Sequence, residues 1–457
     1  MKKVGSLLLT AAITLSCTSV FLVGCGDDSI SDYEHTIVFY SSQGQDLQKV
    51  TEEAIKRFEV KYPGWKVSHQ VPSGGYDGVK EKVMSDLQAN EQPDLAYCYA
   101  DHVAQYLSSE QVINMSTLIG SDATVSGVEV ITGQDGSLTA GEAKDYAVGY
   151  TNDEIADFVK GFYEEGKAHN YSGYADYGYA ADSMLTLPFV KSTELLYYNA
   201  SALEKLDLEV PETWDDLWAQ APAIKKAYPK ATVLGYDSEA NWFITMCEQN
   251  GWGYTSAEGN NFRFNENNAD LQAWLNKLND YYEDGWLTTQ EDYGSYTSGL
   301  FTKGVANDAG GIVYCIGSSG GASHQSPGDL FNAKIAPIPG TMKDGKINNS
   351  AISQGPSLVM LKAGYDVSNA DEKAKMTFLF VKELLDPTFQ AQFSIKAGYN
   401  PCRESVYEIE AYKEHMTGDS MTAMACNAAK IMSDRFFTSP AFVGSSTART
   451  QVGNVLY

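Results

Sequence analysis

Residues 186–199, Thr186-Leu187-Pro188-Phe189-Val190-Lys191-Ser192-Thr193-Glu194-Leu195-Leu196-Tyr197-Tyr198-Asn199, decide how the rest of the chain is read. A short β-type run enters Pro188-Phe189, polar Lys191–Glu194 follows, and Leu195–Tyr198 is apolar again. Proline has no N–H to give a sheet ladder, so Pro188 suits an edge or the point where a strand leaves its sheet. Two strand signals separated by polar residues, with no hairpin dipeptide between them, predict a chain crossing from one sheet to another. The same pattern also fits a strand–loop–strand inside one domain. On the first reading, residues before Thr186 build one lobe and Leu195 opens a second.

Length and charge narrow the classes. A chain of 457 residues exceeds what one hydrophobic core supports, which predicts two or three domains. Its 43% apolar and 20% charged residues are an ordinary globular composition. The formal charge of -26 repels phosphate backbones and anionic headgroups, so nucleic acid is not an expected partner. At the start, Lys2-Lys3 before the apolar run Val4–Val23 reads as a secretory signal segment. The run is also long enough for an uncleaved anchor. Leu22-Val23-Gly24-Cys25 resembles the bacterial lipobox, which implies a signal peptide over 1–24, lipidation of Cys25 and a polar tether over 25–33. The membrane would then be reached through the N-terminal lipid alone. No other stretch approaches about 18 uninterrupted apolar residues.

Beyond Cys17 and Cys25 the cysteines are Cys98, Cys247, Cys315, Cys402 and Cys426. An odd number without a CxxC pair is a poor disulfide framework and a poor zinc site. Cys98 and Cys315 sit in β-like runs, where a buried thiol is the expected role. A Cys402–Cys426 bridge stays open.

Thr36–Tyr40 is a continuous apolar run, the pattern of a strand buried on both faces. Leu47, Val50, Ala54, Ile55 and Phe58 then share one helix face before Pro63-Gly64. Trp65–Val71 alternates as a strand, Tyr76–Leu87 is a second amphipathic helix, and Leu95–Tyr99 is a third strand. Strand–helix–strand–helix–strand predicts an α/β fold with a doubly wound lobe. Residues 120–150 read as a surface excursion, and Asp153–Gly166 as one helix. Past the crossing, Thr213 is a helix cap with Asp216 as capping-box partner, and Pro222 kinks that helix or starts another. Gly310–Gly317 is a strand running into a Gly/Ser loop, and Lys334–Pro339 is a strand between lobes.

Polar groups cluster beyond the carboxyl ends of these strands: Ser41, Ser42 and Gln43, then Asp101 and His102, then Ser318 and Ser319. In open α/β sheets ligands bind at that edge. Hydroxyl and amide groups beside flat rings suit a sugar, whose hydroxyls pair with polar side chains and whose C–H faces pack on aromatics. Asn241-Trp242-Phe243 is the preferred aromatic cluster of the second lobe. Each of these also has a plain reading, an aromatic in the core or a cap on the next helix. No HExxH, GxSxG, GxxxxGK[ST] or strand-following GxGxxG occurs. No metal site, cofactor or catalytic set is therefore expected, although 59 carboxylates leave room for a glycosidase pair.

The order of segments resembles the extracellular solute-binding proteins of family 1, the maltodextrin-binding type of sugar ABC importer. The resemblance rests on Pro93-Asp94-Leu95…Asp101 with Val112–Met115, on Leu187-Pro188-Phe189…Tyr197-Tyr198-Asn199, on Pro211–Leu217, and on Phe380-Val381…Asp386-Pro387…Gly398–Arg403. It implies a periplasmic-binding-protein-like fold, two doubly wound α/β lobes joined by crossing strands that close over a sugar. The lobes would be residues 34–188 with 337–400, and 189–336 with 401–457. By position, Ser41, Ser42, Gln43 and Asp101 would serve the first wall and Asn241 and Trp242 the opposite one, with Ser318, Gly355 and Arg403 as further candidates. The implied partners are a carbohydrate and the permease subunits of an ABC transporter, with the protein acting as a monomer. Two departures stand out: residues 120–180 are longer than in the simplest relatives, and the chain stops at Tyr457 where relatives add more helix. Two rival readings remain, a surface glycoside hydrolase and a binding protein of the same fold for a polyamine or other non-sugar solute.

Overall fold

A computed structural model describes residues 30–256, 261–262 and 268–456. The expected signal peptide and Cys25 lie outside the described residues, as does most of the tether. Two five-stranded sheets organise the chain. The first runs Lys66–Gln70, Thr36–Tyr40, Leu95–Cys98, Ser357–Met360, Leu187–Pro188, and the second runs Leu287–Thr289, Thr232–Tyr236, Ile312–Ser318, Glu194–Asn199, Ala333–Pro337. In each sheet the first three strands are parallel and the other two join antiparallel.

Thr36–Tyr40 shows why a continuous apolar run signals burial on both faces. Ile37 and Phe39 join one core cluster with Leu95, Tyr97 and Phe380, while Val38 and Tyr40 join another with Ala96, Cys98 and Val103. Helix Gln45–Lys61 buries Ala54, Ile55 and Phe58, the face its spacing predicts. In the second lobe Leu195 and Tyr197 pack with Trp214, Leu217, Leu234 and Tyr314. The helix Trp214–Ala227 starts on the expected capping box, with Asp216 N–H donating to Thr213 Oγ1 at 3.1 Å and Thr213 N–H to Asp216 Oδ2 at 3.1 Å. Pro222 lies inside this single helix.

The crossing predicted from Pro188 is present. Leu187–Pro188 is the edge strand of the first sheet, where a missing N–H costs nothing, and Glu194–Asn199 lies inside the second. Between them Val190–Lys191 pairs with Asn400–Pro401, and Ser192 and Gln354 exchange backbone hydrogen bonds of 2.9 and 2.8 Å. Three chain segments therefore pass side by side between the sheets. They pass closely: Gly355 has φ +93°, and a Cβ there would sit 2.5 Å from the Val190 carbonyl oxygen.

Two expectations are corrected. Residues 120–150 hold a long antiparallel hairpin, Thr124–Thr132 with Leu138–Ala147, lying on helix Gln45–Lys61. Gly and Ser dilute its alternation, and only its Tyr146 and Val125 side reaches the core. Asp153–Gly166 is two short helices, Asn152–Ala156 and Lys160–Glu164, because Phe158 bridges to Arg403 between them. All five described cysteines are buried and free, so Cys402 and Cys426 are not bridged. Among the described residues no helix is long and apolar enough to cross a membrane.

Candidate functional site

A cavity of about 280 Å³ opens beside the three crossing segments. From the first lobe, Tyr99 and Asp101 follow strand Leu95–Cys98, and Asn170 and Tyr171 come from a short 3-10 turn. The crossing segments contribute Lys191, Ser353, Gln354 and Gly355. From the far side come Tyr254, the loop Thr438–Pro440, and Ser445 and Arg449 of the helix Ser445–Gly453. That helix packs on Glu239–Asn250 of the second lobe. A smaller cavity of about 160 Å³ shares Tyr99, Asp101 and Arg449 with the first and adds Tyr76, Asp77 and His102.

Four side chains of fixed charge line the larger cavity, Asp101, Glu165, Lys191 and Arg449, two of each sign. Lys191 is paired with Glu165, whose other oxygen accepts from Ser353 Oγ at 2.9 Å, so this pair belongs to the crossing itself. Asp101 and Arg449 are different. Among the described residues the only ionisable partner within ion-pair reach of Asp101 is His102 at 3.8 Å. Burial lowers the pKa of His102, leaving it neutral near pH 7. Arg449 has no carboxylate partner among the described residues; its guanidinium donates to Asn241 Oδ1. Rings of Tyr76 and Tyr99 lie against each other, centroids 4.5 Å apart, beside these charges.

Of the residues singled out from sequence, Asp101 and Gly355 line the larger cavity. Asn241 stands one bond behind it, joining Arg449 to Glu194 through Nδ2 and Oε1 at 3.0 Å. The others are placed elsewhere. Ser41 is buried against His69 Nε2 at 2.7 Å, and burial pushes that imidazole down to about 4. Gln43 is buried between Tyr97 and Thr51, while Ser42, half-buried beside it, is not among the lining residues. Trp242 is 1% exposed and stacks on Tyr236 with centroids 4.5 Å apart. Ser318 caps a 3-10 turn through the Gly320 N–H. Arg403 pairs with Asp157 at 2.8 Å and lies over Phe158, 4.3 Å from the ring centroid. Sequence reading did not single out Tyr99, Tyr171, Lys191, Tyr254, Ser353 or Arg449. The signal for Arg449 was scarcity: the chain has only five arginines, Arg57, Arg263, Arg403, Arg435 and Arg449.

Residues 53–418 match the bacterial extracellular solute-binding protein family. Among curated relatives, the sn-glycerol-3-phosphate-binding periplasmic protein UgpB of Escherichia coli K12 is 22% identical over 408 residues, covering 86% of this chain and 81% of that protein. Among solved structures, UgpB from Mycobacterium tuberculosis in complex with glycerophosphocholine superposes with a TM-score of 0.68 at 17% identity, covering 92% of each chain. Maltose-bound MalE3 of T. maritima gives 0.65 at 16% identity, covering 92% of this chain and 93% of that one. Both share the two-lobed arrangement of sheets described above. The chain belongs to the bacterial extracellular solute-binding proteins.

Proposed function

We propose that this protein is the substrate-receiving subunit of an ABC importer and that it closes on a mono- or oligosaccharide held between its lobes. The observation that carries this reading is the pair Asp101 and Arg449. They face one cavity from opposite lobes, and neither is neutralised by a partner of fixed charge among the described residues. A sugar hydroxyl donates and accepts at once, so one guest satisfies both groups, while Tyr99 and Tyr254 in the lining bring ring surface to its C–H groups. A guest touching both walls favours the closed form by its differential affinity for the two states. This is binding without turnover, and the closed form is what permease subunits would receive.

The equal count of positive and negative groups in the cavity favours a neutral guest over a polyamine, whatever the charge of the whole body. Glycerophosphate-type guests form a second reading, favoured by Arg449, a guanidinium without a carboxylate partner among the described residues, and by the ligands named for the UgpB relatives. On this proposal the protein acts as a monomer, tethered by lipid at Cys25. Its lobes divide where the chain crosses between the sheets, at Val190–Ser192, at Gln354 and at Asn400–Pro401.

The test is thermal melting against maltose, maltotriose, sn-glycerol 3-phosphate, glycerophosphocholine and spermidine. A guest at about a hundredfold excess over Kd stabilises by roughly 2.7 kcal/mol. Asp101→Asn and Arg449→Met should each weaken that guest about tenfold or more, as expected for charged hydrogen bonds. Stabilisation by spermidine alone, or an unchanged guest in both variants, would overturn the sugar reading.

A further inference from the structure

Behind the cavity lies a short chain of polar groups running back to the crossing. An arginine guanidinium only donates, so Asn241 must turn Oδ1 toward Arg449. Its Nδ2 is then committed to donate, and it does so to Glu194 Oε1 at 3.0 Å. Tyr236 O–H donates to the other oxygen, Oε2. Glu194 thus receives two donors and offers none, which is the bonding pattern of a carboxylate. It is 2% exposed and is the first residue of the strand that enters the second sheet after the crossing.

We propose that Glu194 is a positioning residue for Arg449: through Asn241 it fixes the guanidinium in the cleft, and protonating Glu194 releases that arm and weakens guest binding. This rests on the reading that Arg449 touches the guest. A protonated Glu194 carries one O–H that needs an acceptor. If Tyr236 rotated to accept it, the tyrosine proton would be left unpaired in a fully buried core, since Tyr236 has 0% exposure. If Asn241 flips instead, its Oδ1 accepts from Glu194 and its Nδ2 faces Arg449, donor against donor. The conflict then falls on Arg449, which borders two cavities and has room to withdraw.

The groups around Glu194 set where the change occurs. Burial pushes its carboxyl up to about 7, while Tyr236, Asn241 and Arg449 pull it down and Asp237 pushes it up. Glu239, at the start of the helix carrying Asn241, acts on Tyr236 and Asp237, and Ser318, opposite Glu194 in the sheet register, is uncharged. Above the midpoint Glu194 is a carboxylate and Arg449 is held. Below it Arg449 is released, so affinity falls on acidification.

The experiment uses the full chain labelled with [15N]arginine, whose few side-chain N–H signals allow Arg449 to be assigned by its loss in Arg449→Lys. Without any guest, the Arg449 signal should shift with a single midpoint near neutrality between about pH 5.5 and 8.5. In Glu194→Gln it should stay at the acidic position throughout, because the introduced side-chain amide donates to Asn241 as the protonated acid does. In Asn241→Ala it should not titrate, and in His102→Asn it should still titrate. A static Arg449 signal in the wild type, or one that still moves in Glu194→Gln, would overturn the proposal. With maltotriose and sn-glycerol 3-phosphate as probes, wild-type affinity should drop about tenfold across the same range, the loss of one charged hydrogen bond, and Glu194→Gln should be flat and weak. A probe that binds the wild type without pH dependence also overturns the proposal. If neither probe binds, that counts against the reading of the guest, and the arginine signal alone decides the role of Glu194.

Discussion

Lys80 Nζ, on the helix Gly75–Ala89 of the first lobe, donates to Ser446 Oγ on the helix Ser445–Gly453 at 3.0 Å. The contact sits at the smaller cavity, where Ser446 is part of the lining, and ties the two lobes without touching the larger one. The same ammonium pairs with Asp77 at 2.8 Å, but Asp77 is 70% exposed, so that pair adds little. A hydrogen bond that forms only when the lobes approach adds its energy to the closed state alone. Lys80→Met should therefore raise Kd for the guest about two- to fivefold, corresponding to roughly 0.5–1 kcal/mol, and Ser446→Ala should do about the same. Calorimetric titration gives the affinity, and small-angle scattering of the guest-free protein gives the closed fraction. An unchanged closed fraction in both variants would show that the contact does not bias closure.

Trp242 presents the opposite case, an aromatic side chain that belongs to packing. Its ring lies between Tyr236, at 4.5 Å and nearly parallel, and Trp214 at 5.8 Å, with Trp274 edge-on at 5.9 Å. Among the described residues its indole N–H has no hydrogen-bond partner, an exception among buried tryptophans, whose N–H groups usually find one. Trp242→Ala should cost about 3–5 kcal/mol of stability in urea denaturation, the range for removing a buried large aromatic. Guest affinity of the folded variant should change less than about threefold, a fraction of the effect of losing a direct contact. A large loss of affinity with little loss of stability would return Trp242 to the binding surface.

The sequence announces those features that depend on neighbours in the chain. The two-faced burial of Thr36–Tyr40, the Thr213–Asp216 capping box and the departure of the chain at Pro188 each follow from a few consecutive residues. The cavity does not have this property. Its walls come from Tyr99 and Asp101, from Asn170 and Tyr171, from Ser353–Gly355 and from Thr438–Arg449, segments that meet only because three stretches of chain cross side by side. Asp101 was legible because it directly follows a central strand, and Gly355 through the family resemblance. Trp242 was misleading because an aromatic that stacks on Tyr236 and one that stacks on a sugar look alike in a sequence. Arg403 was equally ambiguous: its charge is satisfied by Asp157 and its face by Phe158, neither of which is near it in the chain.

Lys373 and Asp94 form a buried pair under the first sheet, with Nζ to Oδ2 at 3.0 Å and side-chain exposures of 1% and 4%. The same oxygen accepts the Val38 N–H at 2.8 Å, so the pair pins helix Ala370–Leu384 to the strand Thr36–Tyr40. Burial pushes the Asp94 carboxyl up despite the ammonium and the N–H beside it, so desolvation outweighs their attraction. Such a pair adds little net stability, yet losing one member strands the other charge. Lys373→Met should cost about 3–5 kcal/mol in urea denaturation. The double variant Asp94→Asn/Lys373→Met removes both charges and keeps an acceptor for Val38, so it should recover most of that loss. If the double variant is as unstable as Lys373→Met alone, the ion pair itself is what holds this helix down, and the account of its energetics is wrong.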